Sequence, residues 1–178
     1  MNYQNLDKSK KEEVANLFTS VFTSSESEKE GVLVGGLSSE LASNIDNKET
    51  ICFGACENGS LIGAIFFTRL KFNDPIQVYM LAPVAVSTEF QGRGIGQKLI
   101  NYGLNELRNR SVSIVVTYGD PSFYSKIGFQ SLSEDLIQAP LKLSMPIGWL
   151  GQTLTGEPIP SIKERPVCVK EFNNPVYW

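Results

Sequence analysis

Residues 84–97 read Val84-Ala85-Val86-Ser87-Thr88-Glu89-Phe90-Gln91-Gly92-Arg93-Gly94-Ile95-Gly96-Gln97. Gly92, Gly94 and Gly96 open a segment in which Ile95, Leu99, Ile100, Leu104 and Leu107 recur at helical spacing. A helix N-terminus presents unpaired backbone N–H groups and the positive end of a dipole, and glycines there let an anion reach the main chain. The spacing is not the dinucleotide fingerprint, which would need glycine in place of Gln97 or Leu99. No Gly-Lys-Ser/Thr follows, so it is not a nucleotide-binding P-loop either. Taken alone, the glycines read equally well as a plain turn.

Working outward, residues 77–86 form a β-rich run interrupted by Pro83. A proline there removes one ladder donor and predicts a distortion near Pro83 and Val84. Residues 112–117 form a short β-branched strand after the helix, giving a strand, turn, helix, strand unit. Pro121 suits the start of a helix and Gly128 its stop, with Phe129 opening another extended segment.

Towards the N-terminus, residues 51–57 and 61–67 are apolar runs joined by Asn58-Gly59-Ser60, which predicts a hairpin. Ser9 and Glu12 read as a capping box before a helix over 9–23, with Val14, Leu17, Phe18, Val21 and Phe22 on its apolar face. The polar run 23–30 reads as a connection, and Val32, Leu33, Leu37 and Leu41 as a second helix weakened by glycine. Beyond Leu132, residues 141–143 read as a strand before a Pro- and Gly-punctuated tail.

The 178 residues, 42% hydrophobic and 20% charged, suffice for one sizeable core, and no repeat or linker divides them. A formal charge of −3 gives no broad cationic field for a nucleic acid. No basic-then-apolar leader and no membrane-length apolar run is present, so a cytoplasmic location is expected. Cys52, Cys56 and Cys168 read as reduced thiols, the first two as core packing on one side of a strand. The absence of histidine excludes Ser-His-Asp, Cys-His and zinc-His mechanisms.

Gln91-x-x-Gly94-x-Gly96 resembles the Q/R-x-x-G-x-G/A acyl-CoA signature of the GNAT superfamily, with Val84, Ala85 and Val86 on the strand that precedes it. Phe123-Tyr124-Ser125-Lys126-Ile127-Gly128-Phe129 is similar to the F-Y-x-K-x-G-F segment that follows about thirty residues later in that superfamily. Gly119-Asp120-Pro121, and a strand near residues 140–145 followed by a long tail, resemble its YhbS-like branch of predicted N-acetyltransferases.

The resemblance covers roughly residues 9–145. It implies an α/β (α+β) GNAT fold: a mixed, mostly antiparallel sheet with a splayed central parallel strand pair, flanked by helices. The whole chain is then expected to be a single N-acetyltransferase domain over 1–178, with 146–178 a C-terminal extension of unassigned role. The implied reaction is transfer of an acetyl group from acetyl-CoA to an amine of a small molecule or peptide, by direct attack through a tetrahedral intermediate. The expected partners are acetyl-CoA and an amine acceptor, with no metal, nucleic acid or membrane; a homodimer is compatible with the sequence.

For the site, the resemblance implies that backbone groups of Val84, Ala85 and Val86 pair with the pantetheine and polarise the thioester carbonyl. Amides from Gln91, Gly92, Arg93, Gly94, Ile95, Gly96 and Gln97 are expected to hold the pyrophosphate. Arg93 reads either as a phosphate ligand or as a solvated turn residue. Tyr124 matches the superfamily's general acid, against the plainer reading of a packing residue with a wet hydroxyl. Where many members carry a glutamate, this chain has Tyr79-Met80-Leu81, so the base is open among Asp120, Glu57, Glu89 and water.

Two other classes stay in view. One is a non-catalytic acyl-CoA-binding or regulatory module, motivated by the missing glutamate. The other is an interaction domain with Trp149, Phe172, Tyr177 and Trp178 forming a partner surface, against the reading that they close the core.

Overall fold

Asn58 and Gly59 adopt positive φ, 50° and 80°, in the computed structural model, which describes residues 1–178. That twist is what a two-residue hairpin requires, and it joins β2 (Thr50–Glu57) to β3 (Ser60–Leu70) where the sequence predicts a hairpin. With β1 (Asn2–Leu6), β4 (Val78–Val86), β5 (Ile114–Tyr118), β6 (Gln130–Ser131) and β7 (Trp149–Thr153), seven strands hydrogen-bond in the order β1-β2-β3-β4-β5-β7-β6. β4 and β5 are parallel, while β1/β2, β5/β7 and β6/β7 are antiparallel. The helices are α1 (Lys11–Ser25), α2 (Glu28–Ser43), α3 (Ile95–Asn109) and the short α4 (Pro121–Tyr124). The expected mixed, mostly antiparallel sheet with one parallel pair and flanking helices is the fold observed.

Several local expectations are corrected. β1 has no apolar alternation to announce it, because it is a polar edge strand whose pairing with β2, from Asn2↔Cys56 to Leu6↔Cys52, comes from the backbone. Ser9 does not cap α1: it lies in a 3-10 turn capped by Asp7, whose carboxylate accepts the Ser9 N–H at 2.8 Å. α2 begins at Glu28, not near Val32, because Ser27 caps it by accepting the Glu30 N–H at 3.1 Å. Residues 141–143 are not a strand; the place beside β5 belongs to β7, from Ile114↔Thr153 to Tyr118↔Trp149. Trp149 and Leu150 are both buried, so β7 removes far more apolar surface from water than Leu141-Lys142-Leu143 would. The segment read as an extension thus supplies a sheet strand.

Cα proximity divides the chain into two compact units. In the first, Met1–Phe67 with Pro83–Gly103, Phe18 packs on Phe66 at 5.9 Å and Phe53 edge-on to Phe67 at 6.0 Å. Cys52 is buried within it, and burial pushes its thiol well above the ordinary range, so it stays protonated as a core residue. In the second, Thr68–Ala82 with Leu104–Trp178, the core holds Leu70, Met80, Leu81, Val115, Val116, Phe129 and Trp149. Trp149, Phe172 and Trp178 are buried, which overturns the partner-surface reading for them and leaves them closing that core.

The glycines of α2 are a packing device in the first unit. A Cβ on Gly31 would lie 1.8 Å from Thr23 Oγ1 and 2.9 Å from the Thr19 carbonyl oxygen, so the α1 backbone itself blocks a side chain there. Gly36, on the same helix, is exposed and meets nothing within 4 Å. Gly31→Ala is therefore expected to destabilise the fold by about 1–3 kcal/mol through overpacking. Gly36→Ala should stabilise it by roughly 0.5–1 kcal/mol through helix propensity. Urea titrations of the two variants check this; shifts of the same sign would contradict the packing account.

Candidate active site

The glycine turn is built by local bonds. A 3-10 turn over Thr88–Phe90 carries the chain out of β4, and the Gln91 side chain donates back to the Val86 carbonyl at 2.9 Å. Gly92 and Gly94 have φ of 77° and 75°, values that L side chains rarely adopt. A Cβ at either would meet nothing within 4 Å, so the glycines serve the backbone conformation and the space above them is open. The first helical bond of α3 runs from Lys98 N–H to the Gly94 carbonyl at 3.0 Å. The N–H groups of Ile95, Gly96 and Gln97 precede it and have no intrahelical acceptor, while the Ile95 side chain anchors the turn in the core. Three unpaired amides thus stand at the positive end of a 15-residue helix, beside the open space above Gly92 and Gly94.

Arg93 is held by the turn itself. Its Nη2 donates to the Glu89 carbonyl at 3.1 Å, and its guanidinium lies 5.1 Å from the Phe90 ring centroid. It also lines a cavity of about 340 Å³ with Lys98, Glu57 and Tyr3. Lys98 escaped the sequence reading. Its position one turn into a helix that opens on an anion site was the available signal.

β4 has nine residues, but its parallel register with β5 runs only from Val78↔Ile114 to Leu81↔Thr117. Residues 82–86 continue the strand beyond that last rung, so Pro83 does not break the extended backbone; the recorded pairing with β5 ends two residues before it. Val84 and Val86 are half-buried and Ala85 is buried. Their side chains pack, and their main chain lies beyond the last rung of the β4/β5 ladder, with β3 as the neighbour on the other side.

Tyr124 closes α4, whose N-terminus is capped by Asp120 through the Ser122 N–H at 2.9 Å and hydroxyl at 2.8 Å. The Tyr124 ring packs edge-on to Phe129 at 5.7 Å and lies over Gly119, where a Cβ would sit 2.7 Å from it. Burial pushes its phenol up to about 12; hydrogen bonding with the Thr117 side chain offsets part of this and the Asp120 charge adds to it. Thr117 is fully buried and donates to the Leu81 carbonyl at 2.7 Å, at the last rung of the parallel pair. The phenol is therefore neutral at physiological pH and anchored where the β4/β5 ladder stops. Thr117 was not singled out in the sequence, although a lone hydroxyl ending the apolar run Ile114-Val115-Val116 is a readable signal.

Of the candidate bases, Asp120 lies beside Tyr124, its carboxyl held below the usual range first by the Ser122 hydroxyl and then by the Ser122 N–H. Glu89 is exposed on the 3-10 turn, and Glu57 is half-buried beside Arg93 and Lys98. Met80 and Leu81 are buried, so no side chain there can accept a proton. No group of three His, Cys, Asp or Glu residues is arranged to hold a metal ion, and no helix is long and apolar enough to cross a membrane.

The sequence profile of the acetyltransferase (GNAT) family matches residues 11–129, two thirds of the chain. The chain belongs to the acetyltransferase (GNAT) family. Among curated relatives, the uncharacterized N-acetyltransferase YjhQ of Escherichia coli K12 is 33% identical over 107 residues, which cover 57% of this chain and 59% of that protein. The chain thus spans about three fifths of that relative's length. Among solved structures, YhbS from Escherichia coli in complex with CoA aligns with a TM-score of 0.78 at 22% identity, covering 97% of this chain and 92% of that one. A GNAT-family acetyltransferase from Brucella melitensis in complex with acetyl-CoA aligns with a TM-score of 0.65 at 22% identity, covering 94% and 93%. At those identities the two structures establish the fold.

Spectrophotometric titration tests the state of Tyr124 in this GNAT protein. One tyrosine should remain un-ionised well above the ordinary phenol value of about 10 and titrate near 12. The folded-state value lies above the unfolded one, so this group's contribution to stability is intact below pH about 10 and lost as the pH rises towards 12. Tyr124→Phe should remove the late component; its persistence would assign it elsewhere.

Proposed function

We propose that this chain transfers an acetyl group from acetyl-CoA to an amine of a small molecule or peptide, by direct attack. The observation that carries the reading is the turn over 91–97: positive-φ glycines, open space above them and unpaired α3 amides, pinned to β4 by Gln91. The CoA and acetyl-CoA complexes of the fold neighbours support the same ligand here.

In this reading, the amides of residues 92–97 receive the pyrophosphate, with Gln91 shaping the turn and Arg93 and Lys98 adding positive charge. Pantetheine amides pair with the main chain of Val84, Ala85 and Val86 as an added strand would. A backbone N–H of the same segment polarises the thioester carbonyl and holds the oxyanion of the tetrahedral intermediate.

Collapse of that intermediate expels a thiolate, and Tyr124 serves it. A phenol near 12 is a weaker acid than an ordinary thiol at about 8.5. In the resting protein it is a hydrogen-bond donor to the departing sulfur before it is a full proton donor. The amine, about 10 when free, must shed a proton before it attacks. With Met80 buried where a glutamate would serve, water carries that proton away, and Asp120 is the carboxylate beside Tyr124.

Mixing the protein with acetyl-CoA and a panel of amines, and following free thiol with a chromogenic reagent, tests the reaction. Tyr124→Phe is expected to lower kcat by about 10²–10⁴-fold with CoA affinity retained. Gly94→Glu, which forces a side chain onto a φ of 75° and faces a phosphate with a carboxylate, should abolish CoA binding in calorimetry. Tight CoA binding with no turnover on any amine would leave the non-catalytic module standing; no CoA binding by the unaltered protein would remove both readings.

A further inference from the structure

Consecutive residues of a strand point to opposite faces, and the end of β5 uses both. Thr117 turns towards Tyr124, while Tyr118 turns away and stacks on Trp178, centroids 6.0 Å apart and rings 16° from parallel. The Tyr118 hydroxyl accepts the Met145 N–H at 2.7 Å and donates to the Trp178 main-chain oxygen at 3.2 Å. The Ser144 N–H reaches the same oxygen at 2.8 Å, and the Trp178 indole N–H is tied to the Phe172 carbonyl at 2.8 Å. These bonds fix the walls of a cavity of about 490 Å³ in the second unit.

The lining is chemically specific. Tyr118 and Trp178 supply aromatic surface, and Met145, Ile147 and Val176 supply aliphatic surface while standing 64%, 70% and 57% exposed. These are three of the six large apolar side chains that the whole protein leaves exposed, and all three converge here. Such a concentration marks a binding surface, and volume and lining match a small-molecule pocket: mostly apolar, with few polar groups. Asp120 is the one charged side chain of the lining. Its Oδ1 takes both Ser122 bonds, which leaves Oδ2 for a ligand.

The wall towards Tyr124 is one main chain thick. A Cβ on Gly119 would strike the Tyr124 ring at 2.7 Å, and a Cβ on Gly148, another lining residue, would sit 3.0 Å from the Gly119 carbonyl oxygen. Asp120 spans that wall: it lines the cavity, and its charge is felt at the Tyr124 phenol.

We propose that this cavity is the acceptor site and that its ligand is a primary amine on a short chain carrying an aromatic ring. The inference rests on the acetyl-transfer reading above. The ammonium pairs with Asp120, and the ring lies among Tyr118, Trp178, Met145 and Ile147, the aromatic walls adding cation–π attraction near the charge. A polyamine would want a second acidic side chain and an acidic acceptor a cationic one; the side chains of the lining offer neither. In the net step an N–C bond forms to the acetyl carbon and the C–S bond breaks with its electron pair on sulfur. Of the ammonium's three protons, one stays on the amide nitrogen, one ends on the thiol and one leaves to solvent.

The test uses 2-phenylethylamine, spermidine and uncharged 2-phenylethanol with the CoA-loaded full chain, by calorimetry and by thiol release from acetyl-CoA. The amine is expected to bind saturably, and better than the alcohol, and to be acetylated with kcat/KM about ten-fold or more above spermidine. Asp120→Asn keeps an oxygen to cap α4 and should raise KM for 2-phenylethylamine by about ten-fold or more. Ile147→Trp should fill the cavity and do the same. Unchanged CoA affinity and melting temperature show that both variants are folded. If acetyl transfer proceeds but spermidine is preferred, or both variants leave KM unaltered, the cavity assignment is overturned while the transferase reading stands. If no amine releases thiol, the transferase reading fails first and this inference with it.

Discussion

Much of the candidate chemistry hangs on one hydrogen bond, from the Thr117 hydroxyl to the Leu81 carbonyl at 2.7 Å. Thr117 is fully buried, so its hydroxyl must find a partner, and the carbonyl it finds belongs to the last residue of β4 registered against β5. A side chain thereby supplies a donor just where the parallel ladder stops supplying them. On the β4 side, the strand runs on through Pro83, which has no N–H to offer, to the half-buried residues Val84 and Val86. On the β5 side, the same hydroxyl meets the phenol of Tyr124. Ending a ladder normally costs unpaired backbone groups; here the ending is capped by Thr117 and what lies beyond becomes usable surface.

Features encoded by a local backbone demand were legible in the sequence. Asn58 and Gly59, Gly92 and Gly94, and Gly128 all carry positive φ, and each marked its turn correctly. The apolar stripe of α3 and the order of the two superfamily segments then fixed the fold class. The elements that were missed draw their stability from partners distant in sequence. β1 is polar and pairs through its backbone with β2, about fifty residues away. β7 outcompetes Leu141-Lys142-Leu143 because Trp149 can be buried against Trp178 and donate its indole N–H to the Ile137 carbonyl. No periodicity within five residues carries that information. Ser9 and Ser27 make the same point for caps: both precede a glutamate by three residues, but Asp7 takes over the first site and only the second forms.

The candidate site was legible to the same extent. The turn over 91–97 needs only a glycine pattern, a glutamine and a helix, all contiguous. The cavity beside β5 needs Tyr118, Met145, Ile147, Val176 and Trp178 together, and they come from three separate segments of the chain. Its Trp178 read as an exposed surface or as core in the sequence, and the structure buries it: the ring stacks on Tyr118, and the two residues line the cavity together.

The opposite displacements of Tyr124 and Asp120 have a mechanistic consequence. Burial raises the phenol and Asp120 raises it further, while the Ser122 bonds keep Asp120 ionised. In the resting protein burial is the main cause that holds the proton on Tyr124, and the field of the Asp120 carboxylate adds to it. An ammonium paired with Asp120 cancels that field at the phenol. Under the proposed acceptor site, occupancy removes only the smallest of the causes acting on Tyr124, and burial continues to hold the phenol up. One short helical turn carries both groups, Asp120 at its cap and Tyr124 at its end, so an acceptor held as proposed acts on the phenol through the Asp120 charge alone.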